Sequence, residues 1–212
     1  MRRRRFVVLL LITAALSGIV IGRFYFMPVT PAASPQAVAL QSGTALSPTR
    51  PLPEFQLIRQ DGTAVDRDEF RGRWTLVFFG FTHCPELCPT TLAMLSGLRE
   101  ALAAAVPERD LPGIALFSAD PERDTPAVLK DYLASFGAGF RGYTGTPAAM
   151  RDFATALGVP YQKVPMGNDY MIDHSVAILL VNPRAEVAAL FQPPHARATL
   201  QADYIQMVSA VR

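Results

Sequence analysis

The chain has 212 residues, half of them apolar, and a formal net charge of +2. Its length is enough for one full domain with an appendage, or at most for two small domains. Four of the positive charges are the arginines at residues 2–5, so the remainder is close to neutral, which argues against a nucleic-acid-binding surface.

The N-terminus has the pattern of a membrane segment. Residues 6–22, FVVLLLITAALSGIVIG, contain no charge and follow the four arginines. Basic residues flank the cytoplasmic side of membrane helices. We therefore predict a single transmembrane helix within residues 1–27, with the N-terminus in the cytoplasm and the rest of the chain on the outer, periplasmic-type side. A cleaved signal peptide is the alternative, because the apolar run is short for a span of about 20 residues.

Residues 28–53 have a different composition. They are rich in Pro, Ala, Ser and Thr and have almost no charge. This composition is typical of an extended linker. We predict that it separates the membrane helix from a domain formed by residues 54–212.

The first half of this domain has an α/β pattern. Residues 55–66, FQLIRQDGTAVD, predict two short strands around an Asp-Gly turn. Residues 74–81, WTLVFFGF, are a continuous apolar run that suits a central strand buried on both faces. Leucines at three- and four-residue steps predict a helix over 89–106, and residues 113–120 predict a second buried strand.

The second half continues the pattern and then changes. A helix is predicted from Asp124 or Thr125 to about Gly137, and another over 146–158. Residues 174–192 predict two strands joined by a turn, and a last helix is predicted over 197–210. Strands with helical crossovers, followed by a hairpin and a helix, predict an α/β fold: a thioredoxin-like three-layer sandwich with an N-terminal hairpin.

The two cysteines both lie in the stretch 79-FGFTHCPELCPTTL-92. Cys84 and Cys88 are four residues apart at a predicted helix start, which places their Cα atoms roughly 6 Å apart. A structural disulfide is one interpretation in an exported protein, although so short a loop would add little stability. Thioredoxin-type exchangers have two residues between their cysteines, and this chain has three. The wider spacing favours a soft metal ion: two thiolates suit Cu(I), and an added imidazole would also hold Cu(II).

The third ligand has three histidine candidates. His83 is adjacent to the first cysteine and points in a different direction, and His195 follows two prolines in a predicted solvent-exposed loop. His174, in 170-YMIDHS-175, precedes an apolar strand whose entry lies opposite the cysteine-bearing helix start in thioredoxin-like folds. A purely structural histidine is the alternative. Asp173 either orients the His174 ring as a hydrogen-bond acceptor or has a turn role.

Three blocks together, FGFTHCPELCPTTL, FSADPERDTP at 117–126 and YMIDHS, resemble the Sco/SenC family of membrane-anchored, thioredoxin-like copper proteins that serve cytochrome c oxidase assembly. The resemblance covers about residues 51–192. It implies copper, as Cu(I) and Cu(II), held by Cys84, Cys88 and His174. It also implies that Asp120 lies near the site, a strand-end turn being the alternative.

The resemblance implies delivery of copper to the dinuclear copper site of cytochrome c oxidase subunit II. The alternative is a thiol-disulfide oxidoreductase whose redox-active pair, Cys84 and Cys88, reduces the cysteines of that subunit before copper enters. A copper donor and a thiol reductant are the further partners implied. A peroxidase on the same fold is a weaker hypothesis, because the sequence offers no additional polar cluster suited to peroxide.

Overall fold

The computed structural model describes residues 38–210. The predicted transmembrane helix and the first part of the predicted linker, residues 28–37, lie outside the described residues. Among the helices that are described, none combines the length and the apolar character needed to cross a membrane.

Strands and helices alternate through the described residues. The strands are β1 (Gly43–Pro51), β2 (Leu57–Arg59), β3 (Ala64–Val65), β4 (Thr75–Gly80), β5 (Gly113–Ser118), β6 (Phe140–Thr144), β7 (Tyr161–Met166), β8 (Asp169–His174), β9 (Ile178–Val181) and β10 (Glu186–Phe191). The helices are α1 (Leu87–Ala103), α2 (Pro126–Ala134), α3 (Pro147–Leu157) and α4 (Arg197–Ala210).

The main sheet of the described residues has eight strands in the order β1-β10-β9-β4-β5-β6-β2-β3. Its centre is parallel, since β4 pairs with β5 and β5 with β6 in that sense. The strands β9 and β10 add on one side as an antiparallel hairpin, and β2 and β3 form the predicted hairpin at the other edge. Parallel neighbours require crossover connections, which α1 and α2 supply.

The helix ends follow the capping residues in the sequence. The Thr125 hydroxyl accepts a hydrogen bond from the Val128 amide at 3.4 Å, and the Thr146 hydroxyl accepts one from the Ala149 amide at 3.2 Å. A proline follows each threonine at the first helical position. Helix α3 ends at Gly158, whose φ of +77° is a left-handed conformation that glycine adopts without strain.

The sheet is buried on both faces, which makes three layers. Leu76 and Phe78 of β4 point into one apolar cluster, which α1, α2 and α4 cover. Val77 and Phe79 point into a second cluster, which α3 covers. Alternate residues of a strand point to opposite faces, so the continuous apolar run of β4 serves both clusters, as the sequence predicts.

Strand β1 corrects the prediction that the linker extends to residue 53. It pairs antiparallel with β10, with Gly43 opposite Phe191. Just before it, the amides of Gln41 and Ser42 each donate to the buried Asp203 carboxylate of α4 at 2.8 Å. An edge strand bonds to one neighbour only and therefore tolerates proline. The Pro-, Ser- and Thr-rich composition of β1 thus looks the same as that of a linker.

The strands β7 and β8 form a hairpin outside the main sheet. His174, predicted to precede an apolar strand, is the last residue of β8 and lies opposite Tyr161 of β7. The face of β8 that includes His174 also includes Tyr170 and Ile172, because residues two apart share a face. Ile172 is buried in the cluster covered by α1. The hairpin is therefore packed against the domain through one face of β8.

Polar contacts tie this hairpin to the segment that follows β5. The Tyr170 hydroxyl donates to the fully buried Asp120 carboxylate at 2.8 Å, and Asp120 also pairs with Arg123. The Arg123 guanidinium lies 4.0 Å from the centre of the Tyr170 ring and reaches Asp169 at 3.2 Å. The Lys163 ammonium lies 4.3 Å from the same ring centre. We call Asp120, Arg123, Lys163 and Tyr170 the hairpin clasp.

We predict that Tyr170→Phe loosens the hairpin without unfolding the domain. The substitution removes the hydroxyl that bonds to Asp120, and such a bond to a charged group contributes about 1.5–3 kcal/mol. Amide hydrogen exchange within residues 161–174 should become faster, while exchange in the middle of α1 stays unchanged.

Tyr161→Phe is the matched control, because the buried Tyr161 hydroxyl of the same hairpin has no hydrogen-bond partner within residues 38–210. Equal exchange rates in Tyr170→Phe and Tyr161→Phe would show that the clasp does not hold the hairpin.

Candidate metal centre

The two cysteines lie where β4 leads into α1. Cys84 is in the connecting loop and Cys88 is the second residue of the helix. The prediction that both cysteines lie in the first turn of the helix is therefore wrong for Cys84. The N-cap residue Glu86 makes no side-chain hydrogen bond to the helix. Instead the Cys88 amide donates to the Cys84 sulfur at 3.3 Å. The Cys84 side chain thus satisfies one of the unpaired amides of the first helical turn.

The Cys88 thiol is fully buried against the end of β4. A Cβ atom on Gly80 would lie only 2.9 Å from the Cys88 sulfur and 2.9 Å from the Phe78 ring. Side-chain carbons do not approach sulfur or ring carbon this closely, so glycine at residue 80 is what permits the strand to pass beside the thiol.

His174 approaches the cysteines from the hairpin. Its Nε2 atom lies 3.6 Å from the Cys88 sulfur, and its Nδ1 atom lies 2.9 Å from the carbonyl oxygen of Ser175. A carbonyl only accepts hydrogen bonds, so Nδ1 holds the proton and the Nε2 lone pair faces the thiols. The edge-on rings of Phe78 and Phe81, with centroids 6.0 and 5.8 Å away, enclose the imidazole.

The Cys84, Cys88 and His174 donor atoms all lie within 4.8 Å of one another, and both cysteines are free thiols. Metal–sulfur and metal–imidazole bonds of about 2.3 and 2.0 Å allow two donors on one ion to be up to about 4.6 Å apart. The three atoms therefore fit a single ion with only a small movement. Two sulfurs and one imidazole nitrogen form a soft donor set.

Burial sets the protonation state of two of these ligands. It raises the pKa of the Cys88 thiol and lowers the pKa of the His174 imidazole. At neutral pH the imidazole is therefore uncharged and available as a ligand, whereas the Cys88 thiol keeps its proton. An ion that binds here must displace that proton, so its affinity will depend on pH.

The remaining polar residues predicted near the site have other contacts. Asp173 points away from the His174 ring because adjacent residues of β8 face opposite sides; it is exposed and accepts from Gln162 at 3.4 Å. The predicted role of Asp173 as the acceptor for the ring is therefore wrong, and the Ser175 carbonyl has that role. Asp120 is part of the hairpin clasp, where it accepts from the Tyr170 hydroxyl and pairs with Arg123.

The other two histidines lie outside the cluster of donor atoms. His83 is exposed, with Nδ1 3.0 Å from the Thr82 hydroxyl. His195 has Nε2 2.7 Å from the carbonyl oxygen of Val176. The sequence prediction that neither is the third ligand agrees with this geometry.

Asp124, predicted only as a helix start, supports the cysteine loop. Its fully buried carboxylate accepts the Thr82 hydroxyl at 2.6 Å, the Thr82 amide at 3.2 and 3.3 Å, and the Ser118 hydroxyl at 2.7 Å. Burial raises the pKa of Asp124, while these hydrogen bonds oppose the rise. Asp124 belongs to the block FSADPERDTP, one of the three blocks that carry the family resemblance. Its contact with Thr82 joins residues 42 positions apart, so the supporting role could not be predicted from local sequence.

The ligands open onto a groove of about 260 Å³. Cys84, His174 and Leu87 are among the residues that line it, and Leu87 is 59 % exposed. Exposed large apolar side chains are frequent at protein interaction sites. An ion held by the three donors would therefore be reachable from this side of the domain.

Comparisons with known proteins agree with this site. A model of the family described as SCO1/SenC matches residues 44–209. The SCO2-like protein RP587 of Rickettsia prowazekii is 38% identical over 60% of this chain and 62% of its own length. The mitochondrial SCO1 homolog 2 of Arabidopsis thaliana is 33% identical over 74% of this chain and 56% of its own length. The chain thus spans little more than half the length of these relatives.

Solved structures extend the similarity to the fold. The copper-bound ScoI of Arabidopsis thaliana has 30% identity and a TM-score of 0.70 over 74% of this chain and 97% of that one. The copper-bound ScoI of Bradyrhizobium japonicum has 35% identity and a TM-score of 0.66 over 74% and 99%. These matches confirm the thioredoxin-like α/β prediction. Together with the family match over residues 44–209, they show that the chain belongs to the SCO1/SenC family.

Proposed function

We propose that this protein binds one copper ion between Cys84, Cys88 and His174 and supplies it to the dinuclear copper site of cytochrome c oxidase subunit II. The observation that most supports the proposal is the convergence of two thiols and one neutral imidazole within 4.8 Å. Relatives with solved structures are copper-bound. One relative, 25% identical, is described as belonging to a family of cytochrome c oxidase assembly proteins.

Each ligand has a distinct part in holding the cargo. The thiolates of Cys84 and Cys88 are the soft donors that Cu(I) prefers, and the imidazole of His174 adds a donor that Cu(II) also accepts. The two half-sites belong to different elements, since the cysteines lie at the start of α1 and the histidine lies on the β7–β8 hairpin. Movement of the hairpin would remove one ligand while leaving two, which is a route for release to a partner docked over the groove.

A thiol-disulfide oxidoreductase is the second candidate function. One relative of known structure, 25% identical with a TM-score of 0.61, is described as having a disulfide switch. In such a reaction the Cys84 and Cys88 thiols give two electrons and two protons to a disulfide of subunit II and themselves form a disulfide, which a thiol reductant then reduces. This function requires the two thiols and not the histidine.

We expect the full chain to bind one equivalent of Cu(I) under anaerobic conditions, measured by competition with a chromogenic chelator. Cys84→Ser and Cys88→Ser should each weaken binding by at least about a hundredfold, because a hydroxyl is a poor ligand for a soft ion. His83→Ala is the control and should bind as the unmodified chain does. Unchanged Cu(I) affinity in both serine variants would refute the copper site.

Cu(II) distinguishes the two candidate functions. His174→Ala should weaken Cu(II) binding more than Cu(I) binding and should change the sulfur-to-copper absorption bands. The control His195→Ala should do neither, because the His195 imidazole lies outside the donor cluster. If His174→Ala binds Cu(II) normally and the protein still reduces a disulfide in a peptide from subunit II, the oxidoreductase is the better assignment.

We also propose that a helix within residues 1–27 anchors the domain on the outer side of the membrane, in agreement with the pattern of basic and apolar residues. The full chain should stay in the membrane fraction after alkaline washing, and externally added protease should digest the domain. Release by alkali would support the cleaved signal peptide instead.

A further inference from the structure

A second pocket lies at the opposite end of the sheet from the cysteines. It has a volume of about 190 Å³ and is formed where β4, β5 and β6 begin. Three arginines line it: Arg73, Arg99 and Arg141. The cysteine loop follows the far end of β4, and six strand residues at about 3.3 Å each separate the two sites by roughly 20 Å.

The pocket has an excess of positive charge. Its carboxylate, Glu69, is already shared by Arg141 at 2.8 Å, by Arg59 at 3.2 Å and by the Tyr143 hydroxyl at 3.2 Å. Arg73 and Arg99 make no ion pair with any carboxylate of residues 38–210. The charge of at least two guanidinium groups is therefore not compensated within the described part of the protein.

The Arg99 side chain is held in place beside the pocket. Its Nε–H donates to the Pro112 carbonyl at 3.1 Å, and its guanidinium lies so close to Gly139 that a Cβ there would be 2.4 Å from Nε. Gly139 also has a φ of +95°, which favours glycine. Within residues 38–210 the terminal amino groups of Arg99 make no hydrogen bond, so they can donate to a ligand.

Thr75 supplies a buried donor without a partner. Its side chain is 3% exposed, it lines the pocket, and its hydroxyl makes no hydrogen bond within residues 38–210. Arg141 of β6 lies level with Val77 of β4, with Ala115 of β5 between them. Val77 is two residues beyond Thr75, so Thr75 and Arg141 are on the same face of the sheet. A buried hydroxyl without a partner is unfavourable, so a ligand that accepts its hydrogen bond would remove this cost.

We propose that this pocket binds a small oxyanion of the phosphate class. Guanidinium groups match the oxygens of phosphate in geometry as well as in charge, and a hydroxyl donor completes the coordination. The pocket is smaller than the roughly 300–1,000 Å³ that drug-sized ligands occupy, so the ligand is inorganic phosphate or the phosphate group of a small monoester. The site is separate from the metal centre and does not depend on copper.

The test is to titrate the full chain with inorganic phosphate at constant ionic strength. Binding is measured by calorimetry and, independently, by the rise in melting temperature with phosphate concentration. One saturable site is expected. Thr75→Val and Arg73→Gln should each weaken it by about tenfold or more, as expected for hydrogen bonds to a charged group. The control Arg151→Gln removes an equal charge from an exposed residue of α3 and should leave phosphate affinity within twofold.

Thr75→Val also separates a binding role from a structural one. Valine has the same shape and no unpaired hydroxyl, so the phosphate-free protein should be as stable as the unmodified protein or more so. Loss of phosphate binding with stability retained supports the site, and tighter binding of glycerol 3-phosphate than of phosphate would identify a monoester. Absence of saturable binding, or equal affinity in Thr75→Val, Arg73→Gln and Arg151→Gln, would overturn the proposal.

Discussion

Two buried carboxylates after β5 hold the halves of the metal centre together. Asp124 binds the amide and hydroxyl of Thr82 in the loop that leads to the cysteines, while Asp120 binds the Tyr170 hydroxyl of the hairpin that includes His174. Both carboxylates are fully buried, where an unpaired charge would be strongly unfavourable. Their hydrogen bonds therefore fix the cysteine loop and the hairpin relative to one strand end.

The two halves of the candidate site are held in different ways. Cys88 is packed against Gly80 in the core, where any larger residue would displace the sulfur. His174 belongs to a two-stranded hairpin outside the main sheet, held by the clasp and by Ile172. The cysteine half is therefore part of the core, whereas the position of the histidine depends on the contacts that the hairpin makes with the rest of the domain.

The two ends of the central strands have different electrostatic environments. Near the carboxyl end of β4, burial raises the pKa of the Cys88 thiol and lowers the pKa of the His174 imidazole, so both of these groups are uncharged at neutral pH. At the amino ends, three arginines line a small pocket together with Thr75, whose buried hydroxyl makes no hydrogen bond in the described part of the chain. The separation follows from the parallel centre of the sheet, which gathers equivalent strand ends on the same side.

Local patterns were sufficient to predict most of the elements. The apolar run of β4, the capping threonines of α2 and α3, and the last helix at 197–210 agree with the structure. Strand β1 was mistaken for linker, and β6 and the β7–β8 hairpin were not predicted. Strand β1 is at an edge of the main sheet, β6 has only five residues, and β7 and β8 pair only with each other and are mostly exposed or half-buried. None of them has the apolar periodicity of β4. The pairing of β1 with β10 joins Gly43 to Phe191, and a partner so distant in the sequence leaves no local pattern.

The sequence by itself determined the chemistry of the metal centre: two thiols at close spacing, and a histidine ahead of an apolar strand. Only the tertiary structure decided which groups meet. It showed that the Ser175 carbonyl rather than Asp173 orients the ring, that Asp124 supports the cysteine loop, and that Thr75 lies among arginines. The reason is physical: side-chain type fixes what a group can bind, whereas distance, burial and hydrogen-bond direction depend on residues brought together by folding.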